Sequence, residues 1–84
     1  MKATCPCCGY KTLVKPRNWE ICDLCFWEDD PLQFVNPDYD GGMNEKSLRA
    51  YQKEFRMSAY PHRQPTCFDE RDPYWRPIEE RMQV

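Results

Sequence analysis

Two pairs of cysteines constrain this chain more than any other feature. Two residues separate Cys5 from Cys8, and two separate Cys22 from Cys25. This spacing lets one tight turn direct both sulfurs toward one point, so two such turns facing each other supply the four thiolates of a tetrahedral zinc site. Gly9, directly after the first pair, allows the positive φ that such a turn often adopts. The sequence therefore predicts that these four cysteines bind one structural Zn²⁺ ion.

The length of the chain gives a metal site a role in stability. A chain of 84 residues buries only about 60 to 65% of the surface that its unfolded form exposes. Structural zinc contributes on the order of 10 kcal/mol of apparent binding energy, comparable with the net stability of an ordinary domain. The formal net charge of −2 counts the cysteines as neutral, and four thiolates with one divalent ion would lower it to about −4. We therefore predict one metal-stapled α+β domain over residues 1–84.

Cysteine usage and the amino-terminal sequence bear on the compartment. Residues 1–4 lead directly into the first cysteine pair and leave no room for the apolar run of a signal peptide. No stretch approaches the roughly eighteen apolar residues that a membrane span requires. We therefore expect a cytoplasmic protein without a membrane partner, because reducing conditions favour metal binding over disulfides. The alternative is a secreted scaffold, in which six cysteines would form three disulfides.

The 13 residues between Cys8 and Cys22 fit a β-hairpin. Residues 10–14 and 19–21 alternate polar and apolar side chains, as short strands do, and a turn containing proline separates them. A hairpin reverses the chain and would bring the two Cys-x-x-Cys turns within reach of one metal. The sequence therefore predicts a zinc ribbon over residues 1–35, with the hairpin between the two cysteine pairs.

The second half of the chain predicts one helix and one extended segment. Residues 32–35 have the composition of one more short strand, and residues 36–44 that of an ordered loop. We place a helix over residues 45–57, where apolar residues recur at helical spacing. Prolines interrupt residues 58–84, which we expect to lie extended across the domain because aromatic residues remain among them. The apolar stripe of the helix consists of Leu48, Tyr51 and Phe55, and it packs on the hairpin or binds a partner.

Three further residues could carry chemistry. Cys7 lies between the cysteines of the first pair, so it could replace one of them as a ligand or remain a free thiol. Cys67 lies far downstream, where a cysteine is more often a small buried apolar residue than a ligand. Catalytic zinc keeps an open coordination position, whereas four cysteines fill the shell. Because His62 is the only histidine and lies in a proline-rich loop, we expect it to be solvated and predict that the chain is not an enzyme.

The acidic run after the second cysteine pair is a candidate contact surface. Trp27 is followed by Glu28, Asp29 and Asp30. The three acids could bind a divalent cation or a basic partner, and an aromatic residue beside charges is typical of a surface that binds another protein. The alternative is a solvated turn, since Asp30 precedes a proline. We predict that these four residues bind a protein partner and that the chain acts as a non-enzymatic interaction or regulatory module.

Two other functions stay open. Basic side chains outnumber acidic ones in residues 46–84, which would suit a nucleic-acid-binding ribbon, although the acidic net charge opposes generic phosphate binding. A thiol redox protein would use Cys7, provided that its thiolate is exposed and reactive.

Three segments of the sequence share the pattern of one known family. They are residues 5–10 (CPCCGY), 22–30 (CDLCFWEDD) and 37–42 (PDYDGG). In combination they resemble the cysteine-rich CPCC family of small bacterial proteins, over roughly residues 5–48. The resemblance implies metal binding through the cysteines and no particular activity. It also implies that the aromatic and acidic residues of these segments belong to the family's pattern as much as the cysteines do.

Overall fold

The sheet of this protein is a short antiparallel pair that flanks the first cysteine turn. A computed structural model describes residues 2–57 and 65–78. Strand β1 (Ala3–Thr4) pairs with β2 (Lys11–Leu13), with Ala3 opposite Leu13, Thr4 opposite Lys11 and an irregularity between the two pairs. The two strands therefore form a hairpin whose loop contains the first cysteine pair.

The predicted hairpin between the two cysteine pairs is wrong. Strand β2 pairs with the residues before Cys5, and Ile21 forms an isolated antiparallel bridge with Glu28 across the second cysteine turn. Each Cys-x-x-Cys turn reverses the chain by itself, so the residues that flank it are the nearest backbone partners. The connection between the two turns is held by the Glu20 carboxylate, which accepts hydrogen bonds from the backbone N–H groups of residues 14 and 15 at 3.0 and 2.7 Å.

Residues that we predicted as a strand form helix α1 (Pro31–Val35). Asp30 caps this helix, because its carboxylate accepts a hydrogen bond from Leu32 N at 2.8 Å. Pro31 occupies the first helical turn, where its missing N–H costs nothing. The Asp-Pro pair is therefore a helix start, and this local signal outweighs the strand-like composition of the residues that follow.

Helix α2 (Leu48–Met57) lies inside the predicted range of 45–57 and begins three residues later. Ser47 sets its start, since its hydroxyl accepts a hydrogen bond from Ala50 N at 3.2 Å. Leu48 is buried, and Tyr51 and Phe55 pack against the core. The apolar stripe of α2 therefore does take part in the core, as the simpler interpretation predicted.

The carboxyl-terminal segment lies across the first cysteine turn. Arg71 forms a bridge with Tyr10, and Lys11 N donates to Glu70 O at 2.8 Å. Farther along, Trp75 Nε1 donates to Pro6 O at 2.9 Å. The expectation that this segment packs across the domain holds for residues 65–78, while residues 58–64 and 79–84 of the predicted extended segment lie outside the described residues.

Cysteines make up half of the buried apolar core. Five of them contact Leu13, Leu24, Trp27, Leu48 and Ile78. A core of this composition holds few large aliphatic side chains, so it supplies limited hydrophobic free energy. Sulfur atoms therefore occupy much of the space that aliphatic side chains fill in a larger core. Neither helix in the described part of the chain is long and apolar enough to cross a membrane.

Candidate metal centre

The two cysteine turns have the same backbone geometry. In the first knuckle (residues 5–10), Cys5 N donates to Tyr10 O at 2.8 Å and Gly9 N donates to Cys5 O at 2.9 Å. In the second knuckle (residues 22–27), Cys22 N donates to residue 27 O and residue 26 N donates to Cys22 O, both at 2.9 Å. Gly9 has φ of +82° and Phe26, at the equivalent position, has φ of +67°. The predicted positive φ at Gly9 is confirmed.

The geometry brings together the four sulfurs that the sequence predicted. The Sγ atoms of Cys5 and Cys25 lie 3.6 Å apart, those of Cys8 and Cys22 lie 3.8 Å apart, and all four lie within 4.8 Å of one another. Four thiolates at about 2.3 Å from a tetrahedral zinc would have S···S edges of about 3.8 Å. Two of the separations match this edge length and the others do not exceed 4.8 Å, so these four cysteines could hold a metal ion.

Burial and mutual hydrogen bonding shape the protonation of this four-cysteine cluster. Burial raises the pKa of the Cys5 thiol. The pKa of Cys22 is lowered because its sulfur accepts hydrogen bonds from the other cluster thiols, Cys25 above all, and the pKa of Cys25 is raised because its S–H donates to Cys22. A divalent cation at the centre would compensate part of the negative charge of the four thiolates and so favour their deprotonated form.

Donors outside the cluster also point at one of its sulfurs. Thr12 Oγ1 lies 3.1 Å from Cys22 Sγ, and Leu24 N lies 3.4 Å from the same atom. Such donors stabilise the thiolate form and orient a ligand for a metal. Thr12 comes from β2, so the strand pair and the second knuckle meet at the cluster.

Cys7 is buried beside the cluster and does not belong to it. It has no solvent exposure, and its thiol interacts with that of Cys25 and contributes to the raised pKa there. Cys7 is therefore a buried thiol next to the four sulfurs, and whether it can replace one of them as a ligand stays a prediction to be tested by substitution. Cys67 is exposed, which corrects the expectation that it is a small buried residue. His62 lies outside the described residues.

The predicted contact surface around Trp27 is wrong for three of its four residues. Trp27 and Asp29 have no solvent exposure and Asp30 is 3% exposed. Trp27 packs edge-to-face on Tyr51 with ring centroids 5.3 Å apart, and its Nε1 donates to Asp29 Oδ1. A partner cannot reach these side chains in the folded chain. Glu28 alone stays partly exposed.

The buried acids of this run hold loops in place. Asp29 accepts hydrogen bonds from Arg17 N at 2.5 Å and from Arg17 Nη1 at 3.1 Å. Asp30 caps α1 and also accepts from Met43 N at 2.9 Å. The acidic run therefore has a structural role, which sequence reasoning missed because it took charge as a sign of exposure.

Sequence reasoning also missed a buried amide pair. The Gln33 side chain has no exposure, and its Nε2 donates to the carbonyls of residues 39, 44 and 46. Asn44 bonds both the N–H and the C=O of Glu28, at 2.9 and 2.7 Å, and donates to Gln33 Oε1 at 2.8 Å. A Cβ at Gly42 would lie 2.5 Å from Asp30 Oδ2. These hydrogen bonds hold the loop before α2 against the second knuckle. Residue 42 is a glycine because a larger residue would collide with Asp30 there.

The fold and the cluster define a class of protein. It is a small cysteine-rich α+β chain in which two knuckles place four thiols around one point that could hold a metal ion. The sequence model of the cysteine-rich CPCC family matches residues 3–74. The chain therefore belongs to the cysteine-rich CPCC family, and the match extends well beyond the segments that first suggested the resemblance. A search of curated proteins found no match.

Proposed function

We propose that this chain is a small zinc protein in which the metal is structural and that it acts as a non-enzymatic interaction or regulatory module. The observation that carries the proposal is the four-cysteine cluster, whose members are 0 to 5% exposed and whose sulfur atoms lie within 4.8 Å of one another. Cys5, Cys8, Cys22 and Cys25 would hold the ion. When bound, zinc would cross-link the two knuckles and neutralise part of the thiolate charge.

The donor set favours zinc among the common metals. Thiolate ligands in tetrahedral arrangement are typical of zinc and of iron bound to cysteine, whereas calcium and magnesium prefer oxygen ligands. Zinc binds without redox chemistry, which suits a site that acts only as a cross-link. Metal analysis of purified protein, together with the visible spectrum after cobalt substitution, distinguishes these metals.

A structural role follows from the closed shell. Four thiolates leave no coordination position for a substrate or an activated water, which a catalytic zinc requires. The exposed Cys67 has no partner thiol among residues 2–57 and 65–78. We therefore propose a module without enzymatic activity, in a reducing compartment such as the cytoplasm.

The two other functions have less support. A redox role for Cys7 needs an exposed thiolate, whereas Cys7 has no exposure. Nucleic-acid binding needs available cations, whereas four basic side chains are ion-paired: Lys11 with Glu70, Arg17 with Asp29, Lys46 with Glu54 and Arg49 with Asp38. Alkylation of Cys7 well above the rate of a model peptide would revive the first alternative. Binding that weakens steeply with salt would revive the second.

The interaction role is tested by affinity purification. Tagged wild-type chain is isolated from its own host at an ionic strength of about 0.15 M, in parallel with Cys8→Ser, after nuclease treatment. We expect a protein partner to copurify in fixed proportion with the wild type and to be lost with the variant. Wild-type chain that copurifies with no protein, or with a partner that nuclease removes, would contradict the proposal.

A further inference from the structure

An open cleft lies beside the second knuckle. It has a volume of about 390 Å³ and is bounded by residues 25–28, residues 43–46 and α2 from Tyr51 to Phe55. We call it the second-knuckle cleft. Its size suits one or two amino-acid side chains and is at the lower end of the range for ligand sites.

The floor of the cleft presents apolar side chains to solvent. Phe26 is 43% exposed and Met43 is 62% exposed, while Tyr51 and Phe55 are partly buried. Exposed aromatic and methionine side chains in a concave surface are typical of sites that bind other proteins. The cleft therefore offers an apolar contact area next to the candidate metal centre.

The two knuckles differ at the position with positive φ, which is Gly9 in the first and Phe26 in the second. There, Gly9 lies so close to the Trp75 ring that a Cβ would be 2.6 Å from it, and Asp72 N donates to Gly9 O at 2.8 Å. At the equivalent position, Phe26 adopts φ of +67°, which is unfavourable for a side chain with a Cβ. The second knuckle thus keeps an aromatic side chain at the cleft despite backbone strain, a feature that often marks functional sites.

The rim of the cleft is acidic. Glu28, Glu45 and Glu54 line it with a single cation, Lys46, whose Nζ lies 2.5 Å from Glu54 Oε2. Lys46 is therefore neutralised by Glu54, and the carboxylates of Glu28 and Glu45 form no ion pair with the residues that the structure describes. The adjacent four-thiolate cluster would add further negative charge with a divalent ion. The electrostatic potential of the cleft therefore favours a cationic ligand.

We propose that the second-knuckle cleft binds a segment of another protein in which a lysine or arginine stands directly beside an apolar residue. The apolar side chain would pack on Phe26 and Met43, and the cation would lie between Glu28 and Glu45, near the aromatic rings. This inference rests on the proposed interaction function and names its site and the chemistry of the partner.

The test uses the zinc-loaded full chain and a phage-displayed library of random ten-residue peptides. We expect selected peptides to be enriched in Arg or Lys next to an aliphatic or aromatic residue. The best peptide, made synthetically, is then titrated against a cleft variant, Glu28→Gln with Glu45→Gln, and against a matched control, Asp40→Asn with Glu70→Gln. Both control positions are exposed and lie outside the cleft. We expect the dissociation constant to rise at least about tenfold for the cleft variant and less than about twofold for the control.

A second variant tests the apolar floor. Met43 is exposed, so Met43→Ser should leave the fold intact and should raise the dissociation constant by about three- to tenfold. Backbone amide shifts from residues 25–28, 43–46 and 51–55 should move on peptide addition. Peptides without a basic residue, equal affinity for cleft and control variants, or shift changes confined to other residues would each overturn the inference. None of these results affects the affinity purification, so the interaction function can stand while the site fails.

Discussion

Substitution of Gly9 by alanine tests how the carboxyl-terminal segment is held on the first knuckle. The φ of +82° is unfavourable for any residue with a Cβ, at about 1–2 kcal/mol. The new Cβ would also lie 2.6 Å from two carbons of the Trp75 ring, so the ring must shift. That shift weakens the hydrogen bond from Trp75 Nε1 to Pro6 O, which lowers the free energy of unfolding by about 1 kcal/mol. The loss of packing around the ring lowers it by about 1 kcal/mol more.

The expected total is a loss of about 3–4 kcal/mol in the free energy of unfolding. In a domain of this length, that corresponds to a fall in Tm of about 12–32 °C. The assay is urea unfolding of the metal-loaded protein at a buffered zinc concentration, because bound metal raises apparent stability by mass action.

A double-mutant cycle separates the two contributions. In a Trp75→Ala background, Gly9→Ala should cost only the backbone contribution of about 1–2 kcal/mol. Equal costs in the two backgrounds would refute the proposed contact between Gly9 and Trp75. A total cost below about 0.5 kcal/mol would refute the backbone argument as well.

Three further predictions concern the cluster and the residues that support it. Cys7→Ser should keep one metal per chain, whereas Cys8→Ser should lose its metal to a chelator that leaves the wild type loaded, as mass spectrometry reports. Asp29→Asn should lower the free energy of unfolding by about 2–3 kcal/mol, because it removes the charge that pairs with Arg17; the exposed Asp40→Asn is the control. Phe26→Gly should be about 1 kcal/mol more stable than Phe26→Ala, because glycine tolerates the φ of +67°.

A different outcome would refute each of these three predictions. Loss of metal from Cys7→Ser would make Cys7 a ligand. Equal stability of Asp29→Asn and Asp40→Asn would show that the buried carboxylate contributes nothing. If Phe26→Ala is at least as stable as Phe26→Gly, the backbone at residue 26 is not strained by its positive φ.

The cysteine pattern predicted the four-cysteine cluster because local spacing decides it. Two residues between cysteines force a tight turn, and Gly9 has the predicted positive φ. The pairing of strands was predicted wrongly, because the same pattern of short alternating segments fits partners on either side of a turn. Only the backbone geometry of the knuckles decides between them.

Charge was the least reliable guide to exposure. Trp27, Asp29 and Asp30 looked like a surface, yet they are buried, since Asp29 pairs with Arg17 and Asp30 caps α1. Buried carboxylates are tolerated when they are paired or hydrogen-bonded, as both of these are. The Asp-Pro pair carried the helix-start signal and should have outweighed the strand-like composition of residues 32–35.

Native mass spectrometry of the purified chain under reducing conditions shows whether the four cysteines hold a zinc ion. We predict one zinc per wild-type chain with the thiols otherwise intact, and loss of that zinc in Cys8→Ser. A metal-free wild-type chain, with a mass lowered by the hydrogens of paired cysteines, would contradict it and would make disulfide chemistry the basis of this fold.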